Sequence, residues 1–142
     1  MHQFDLKNKT AIITGGAQGF GLDIAKKFLL SGSKVFIWDI DEKELSKATK
    51  QINNPNLNYN VVDVSNFDQI QKAVIDITSN NKIDILINNA GITGPTAELW
   101  NYNIKDWNSI IDINLHGSFY CCKSIVPHMI KNNYGRIVNI AS

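Results

Sequence analysis

The stretch Thr10-Ala11-Ile12-Ile13-Thr14-Gly15-Gly16-Ala17-Gln18-Gly19-Phe20-Gly21 decides the fold of this chain. Its first five residues are small or β-branched and largely apolar, which suits a buried strand. Glycines then cluster, and Leu22, Ala25, Phe28 and Leu29 follow at helical spacing until Gly32, a plausible C-terminal stop. A flexible connecting turn is the bland alternative, but a strand before and a helix after argue for a purpose-built loop. Glycine lets the backbone turn sharply and approach a ligand closely. The free N–H groups and positive dipole end of the helix can then receive negative charge, and a diphosphate is the group that such a loop holds.

Outward from this unit, strand-length apolar runs keep alternating with helical patterns. Residues 34–39 read as the second strand, and Asp41 with Glu44 makes a capping-box-like start for the next helix. Residues 57–62 read as the third strand. Ser65 is expected to cap a helix carrying Phe67, Ile70, Val74 and Ile77, and residues 83–87 form a continuously apolar fourth strand that needs cover on both faces. Beyond a loop with Gly94 and Pro95, residues 106–131 are a long helical pattern that includes Trp107, Ile110, Ile111, Phe119 and Ile125. Pro127 is expected to kink or end it, and residues 135–140 make a fifth strand. The alternation predicts an α/β fold with a parallel sheet.

Composition narrows the function. The 142 residues fit one domain, residues 1–142, with 44% hydrophobic and 19% charged residues, far from the signature of disorder. Net charge is +1 and the cations are scattered, so neither a nucleic-acid nor a membrane partner is indicated, and a small-molecule substrate is. No run is long enough to span a bilayer and the N-terminus has no signal pattern, so the expected address is cytoplasmic. Cys121 and Cys122 are adjacent and read as reduced thiols packed on a helix. His2, His116 and His128 read as surface or partly packed residues with no carboxylate or cysteine at ligand spacing, so no metal site is expected. Trp38, Trp100 and Trp107 read as core or loop-packing groups.

Asp39 ends the second strand, 20 residues beyond Gly19. A carboxylate there can accept hydrogen bonds from adenosine ribose hydroxyls and repel a 2′-phosphate, which favours NAD over NADP as the cofactor. The glycine spacing is TGxxxGxG, and with it the sequence resembles the short-chain dehydrogenase/reductase family. Further matches are Asp63-Val64 after the third strand, Asn88-Asn89-Ala90-Gly91 after the fourth, Asn114 in the long helix, and Gly135 to Ser142 as the strand that ends in the family's serine.

The resemblance implies a Rossmann-type doubly wound sheet of order 3-2-1-4-5, incomplete at its C-terminal edge, that binds NAD at the switch between strands one and four. It implies cofactor contacts from Gly15, Gln18, Gly19, Phe20, Gly21, Asp39, Ile40, Asp63, Val64, Asn89, Ala90 and Gly91. Asn114 and Ser142 take the catalytic positions, Asn114 by supporting the family's lysine through water. It also implies alcohol and ketone interconversion on a 3-oxoacyl or sugar substrate, and a homo-oligomer for a full-length member.

The family's proton chemistry resides in a tyrosine and a lysine of a YxxxK motif, and none of Tyr102, Tyr120 and Tyr134 sits in one. The expectation is therefore a fragment inactive alone. The alternatives are a subunit completed by a separate chain and a non-catalytic NAD-binding module. The apolar edge at Ile137, Val138 and Ile140 is expected to make the isolated chain marginally stable or insoluble.

Overall fold

The computed structural model describes residues 4–141. Five parallel strands run in the order β3-β2-β1-β4-β5, the doubly wound arrangement expected from the sequence. They are β1 (Thr10–Thr14), β2 (Lys34–Asp39), β3 (Leu57–Val61), β4 (Ile85–Asn88) and β5 (Arg136–Asn139). The helices are α1 (Gly19–Leu30), α2 (Glu42–Ile52), α3 (Phe67–Thr78), α4 (Ile104–Ile111) and α5 (Gly117–Lys131).

Two apolar clusters sandwich the sheet. On one face Ile12, Phe36, Trp38 and Leu86 pack against Ile70, Val74 and Ile77 of α3 and Cys121, Ile125 and Met129 of α5. On the other, Ala11, Ile13, Val35, Ile37, Ile85 and Ile87 meet Ala25 and Leu29 of α1 and Leu45 and Ala48 of α2. Alternate residues of one strand thus feed opposite layers, which is why β1, β2 and β4 each carry a continuous apolar run instead of alternating with polar residues. Each fully buried Ile or Leu contributes roughly 2 kcal/mol from leaving water.

Several boundaries differ from the sequence-based expectation. Asn66, not Ser65, caps α3, accepting the Gln69 N–H at 3.2 Å, while Ser65 donates its N–H and hydroxyl to Asp63. Strand β4 starts at Ile85 and not at 83, because the Asp84 carboxylate accepts the Thr10 N–H at 2.9 Å where the ladder would otherwise begin. Strand β3 ends at Val61. The long helix starts two residues early, at Ile104, because Asn103 caps it through the Lys105 and Asp106 N–H groups. It is interrupted by a π turn at Asp112–His116, and Pro127 does not end it, since α5 runs to Lys131. Strand β5 is Arg136–Asn139, shorter than 135–140.

Trp38 is buried in the core as expected, but Trp100 is 82% exposed on a 3-10 turn (Leu99–Asn101), and Trp107 is half exposed with its edge against Tyr102. Cys121 and Cys122 are free thiols on α5. His2 lies outside the described residues. A carboxylate does accompany His116: its Nδ1 lies 3.0 Å from Asp112 across the π turn. Ile137, Val138 and Ile140 are each between 39% and 46% exposed, and β5 pairs with β4 alone among the described residues.

Candidate functional site

β1 and β4 lie side by side, and the chain leaves them towards opposite halves of the sheet; at their C-terminal ends opens a crevice of about 540 Å³. Ligand sites commonly measure 300–1,000 Å³, and in doubly wound sheets they lie at this switch point. Gly15, Gln18, Phe20, Asp39, Ile40, Asp63, Val64, Asn89, Ala90 and Gly91 line it, together with Asp41, Val62, Ile92 and Ile113.

The glycine loop forms one wall. Gly15 sits at φ +62° and Gly19 at φ +56°, a left-handed backbone that side chains resist. A Cβ on Gly15 would lie 3.0 Å from the Ala90 Cα, and one on Gly21 would lie 2.2 Å from the Gly15 carbonyl oxygen. Helix α1 therefore presses against the loop, which closes packing that any side chain would force apart. Gly19 differs, because a Cβ there would meet nothing within 4 Å. Its left-handed turn faces open space at the N-terminus of α1, so the passage over that helix end is kept clear. Gln18 is the N-cap but makes no side-chain cap bond, and the first turn holds no acidic residue. The N-terminal N–H groups and the dipole end stay available to an anion. Gly19 and Gly21 do not line the crevice directly; they shape the loop that does.

Thr14 and Asn89 tie this wall to the floor. The Thr14 hydroxyl accepts the N–H groups of Asn89 and Ala90, both at 3.0 Å, and the Asn89 amide donates to the carbonyls of Thr14 and Gly15. At the opposite end Asp39 is held by two backbone donors, with Ala17 N–H on one oxygen and Asp41 N–H on the other, each at 3.3 Å. Its carboxylate thus borders the crevice and spans from the glycine loop to the β2–α2 turn. Ile40 is 67% exposed beside it, and with the mostly buried Val62 and Val64 offers apolar surface for a flat ring. Asp39, Asp41 and Asp63 all line this end, and among the described lining residues there is no Lys or Arg.

Asn114 lies behind the crevice in the π turn. Its amide accepts the Ile92 N–H at 2.9 Å and donates to the Ile92 carbonyl at 2.8 Å, so it holds the loop after β4 in place. Ser142 lies outside the described residues. Sequence reasoning missed Asp41, Val62, Ile92 and Ile113 as lining residues and gave Thr14 no role; the Thr that opens TGxxxGxG was the one available signal.

Away from the crevice, burial pushes the Cys121 thiol up to about 12, and the neighbouring Cys122 adds to the rise. A second hollow of about 550 Å³ lies along α2, lined by Lys43, Lys47, Lys50 and Tyr59. It is an open, solvated helix face that shares no lining residue with the crevice. Among the described residues no group of three His, Cys, Asp or Glu side chains could hold a metal ion, and no helix is long and apolar enough to cross a membrane.

A parallel doubly wound sheet with a glycine loop at its switch point defines a nucleotide-binding α/β fold. The chain belongs to the short-chain dehydrogenase family, whose model matches residues 9–142. It is 39% identical over 135 residues to 2-dehydro-3-deoxy-L-rhamnonate dehydrogenase (NAD(+)) of a Sphingomonas species, covering 94% of this chain and 53% of that protein. It is 39% identical over 140 residues to the 3-oxoacyl-(acyl-carrier-protein) reductase of Chlamydia pneumoniae, covering 96% and 56%. Among solved structures, the closed form of serine dehydrogenase complexed with NADP+ superposes with a TM-score of 0.89 at 30% identity, covering 94% of this chain and 54% of that one. The chain spans about half the length of the curated relatives it matches.

Proposed function

We propose that these residues form the cofactor half of an NAD-dependent oxidoreductase that interconverts an alcohol and a ketone. The observation that carries this reading is the Asp39 carboxylate at the crevice, held between the glycine loop and the β2–α2 turn, with no Lys or Arg among the described residues that line the same end. A ribose with two free hydroxyls can donate to that carboxylate, whereas a 2′-phosphate would meet negative charge. One relative carries NAD(+) in its name and one neighbour holds NADP+, so kinship supports a nicotinamide cofactor and the acidic end supports NAD.

The residues present fit such a group. The open space beside Gly19 and the uncapped N-terminus of α1 suit a diphosphate, with Gly15 and Gly21 keeping the loop tight behind it. Gln18 and Phe20 border the same passage. Ile40, Val64 and Asp63 suit an adenine, and Asn89, Ala90 and Gly91 offer a small-residue floor for the second ring. Hydride transfer is the chemistry that the nicotinamide supplies when bound. In our reading Asn114 keeps the wall at Ile92 in register for the catalytic positions, and Ser142 steadies the substrate oxygen. The sugar-acid and 3-oxoacyl relatives support a small hydroxy or oxo compound of one of those two classes.

Calorimetric titration of the chain with NAD and NADP tests the reading. Saturable one-site binding of NAD, weakened by Asp39→Ala, is expected. A folded protein that gives no heat with NAD contradicts it. The alternative reading, a nucleotide-binding module without turnover, uses the same crevice. Release or uptake of a hydride in the presence of a sugar-acid or 3-oxoacyl substrate excludes that second reading.

A further inference from the structure

Cations that lie scattered along the sequence are gathered by the fold at one end of the sheet. The strands run parallel, so their N-terminal ends share the end opposite the crevice. Lys7 and Lys9 lead into β1, Lys34 opens β2, Lys82 precedes β4 and Arg136 opens β5. These strands are neighbours in the order β2-β1-β4-β5. At about 4.8 Å between adjacent strands, their entries span about 15 Å.

No carboxylate neutralises this row. None of these cations forms an ion pair among the described residues. The segments leading into the same strands carry Asp84, which is buried with its carboxylate on the Thr10 N–H, and Asp5, which accepts the Lys7 N–H. Neutral groups hold the cations instead. Lys34 Nζ donates to Asn81 Oδ1 at 2.8 Å, while Lys9 Nζ lies 3.7 Å and Arg136 Cζ 4.9 Å from the centre of the Tyr134 ring. Such contacts fix where the charges stand and leave them uncompensated. Lys131 is also at this end, but it sits in the last turn of α5, where the helix dipole accounts for it. Like charges held side by side repel one another, and nothing in the fold offsets that cost for the strand entries.

We propose that this row is a docking surface for an acidic segment of a partner protein, an extended run of Asp and Glu that crosses the entries of β2, β1, β4 and β5. The inference goes beyond the cofactor reading and uses no residue of the crevice. An extended chain rises about 3.3 Å per residue, so about five residues cover the row. Single-stranded nucleic acid fits less well, because its bases stack on free aromatic faces and the Tyr134 ring already carries Lys9 and Arg136.

The test titrates a decaglutamate peptide, an oligothymidylate and inorganic phosphate into isotopically labelled chain at low salt, where surface charge is least screened. The peptide is expected to shift the amides of Lys7, Lys9, Lys82 and Arg136 and to leave Gly15, Asp39 and Gly91 still. Lys7→Glu with Lys82→Glu reverses two exposed charges whose side chains make no hydrogen bond among the described residues, so the fold is kept. This pair is expected to weaken peptide binding about tenfold or more. Lys9→Glu with Arg136→Glu, checked for folding by far-ultraviolet dichroism, is expected to do the same. Lys47→Glu with Lys50→Glu makes an equal change of net charge on α2 and is expected to alter the affinity less than about twofold. An equal loss in that α2 control overturns the placement. A folded chain that does not bind the peptide, binds oligothymidylate more tightly, or releases the peptide to phosphate at equal charge concentration overturns the acidic-segment proposal.

Discussion

The Thr14 hydroxyl accepts the backbone N–H of Asn89 at 3.0 Å, and through that contact the end of β1 is joined to the loop after β4. The same oxygen accepts the Ala90 N–H, and the hydroxyl donates to the Ile87 carbonyl at 3.4 Å. One buried hydroxyl thus organises the point from which the chain leaves for the two halves of the sheet. Replacing it with an isosteric methyl, Thr14→Val, strands two N–H groups in a nearly dry site. The expected loss is about 2–3 kcal/mol, read as a lower midpoint in urea, whereas Thr14→Ser retains most of the stability.

Gly21 and Gly19 separate packing from binding. Gly21→Ala drives a methyl into the Gly15 carbonyl and the Asn89 amide, so it is expected to cost about 3 kcal/mol or more and to abolish cofactor binding with the fold. Gly19→Ala meets no atom within 4 Å but must hold a left-handed backbone, at a cost of about 1 kcal/mol. Its methyl projects into the passage over α1. NAD affinity is therefore expected to drop by at least an order of magnitude in a protein that still unfolds cooperatively. Equal losses of stability and affinity in the two variants would contradict the account of Gly19.

Asn114 pairs with both backbone groups of Ile92. Asn114→Leu hands both groups to water, with an expected loss of about 1 kcal/mol and faster hydrogen exchange confined to the loop after β4. Asn114→Asp keeps the acceptor for the Ile92 N–H but sets a carboxylate oxygen against its carbonyl, so it is expected to be no better. Unchanged exchange at Ile92 in either variant would show that the loop is held by something else.

The two thiols differ in burial and are expected to differ in reactivity. Cys121 is fully buried and its thiol is pushed up to about 12, so at pH 8 its thiolate is only about one in ten thousand. Alkylation of the native protein should label Cys122 first, and Cys121 only on unfolding. The folded state favours the protonated Cys121, so its contribution to stability is full below the unfolded thiol's range and fades as pH rises from about 9 towards 12. Simultaneous labelling of both in the native protein at pH 8 would contradict the packing of α5 on the sheet.

The parallel sheet and the crevice were legible because each leaves a local mark: a glycine loop between strand and helix, an acid at the end of β2, Asn-Asn-Ala-Gly after β4; the strand order and most of the lining came through the family resemblance. Boundaries were less so where neighbouring residues compete for one role. Ser65 and Asn66 can both cap, and the structure uses Asn66 because Asp63 engages Ser65. The start of β4 depends on a long-range bond from Thr10 to Asp84 that no local pattern contains. The π turn at Asp112–His116 adds a residue to a helix turn without changing its apolar spacing enough to be noticed. Asp41, Val62 and Ile92 join the crevice because strands far apart in sequence end side by side, Ile113 joins it from the π turn, and Trp100 carries a core-like side chain on an exposed turn.

The most direct test of the central claim, that the crevice between the glycine loop and Asp39 holds NAD, is to titrate NAD into isotopically labelled protein and follow its backbone amide resonances. The account predicts saturable shifts at Gly15, Gly19, Asp39, Ile40, Ala90 and Gly91, with Lys43, Lys47 and Lys50 along the outer hollow of α2 unmoved. Shifts that cluster at that hollow while the glycine loop stays still, or no shifts in a folded chain, would contradict it.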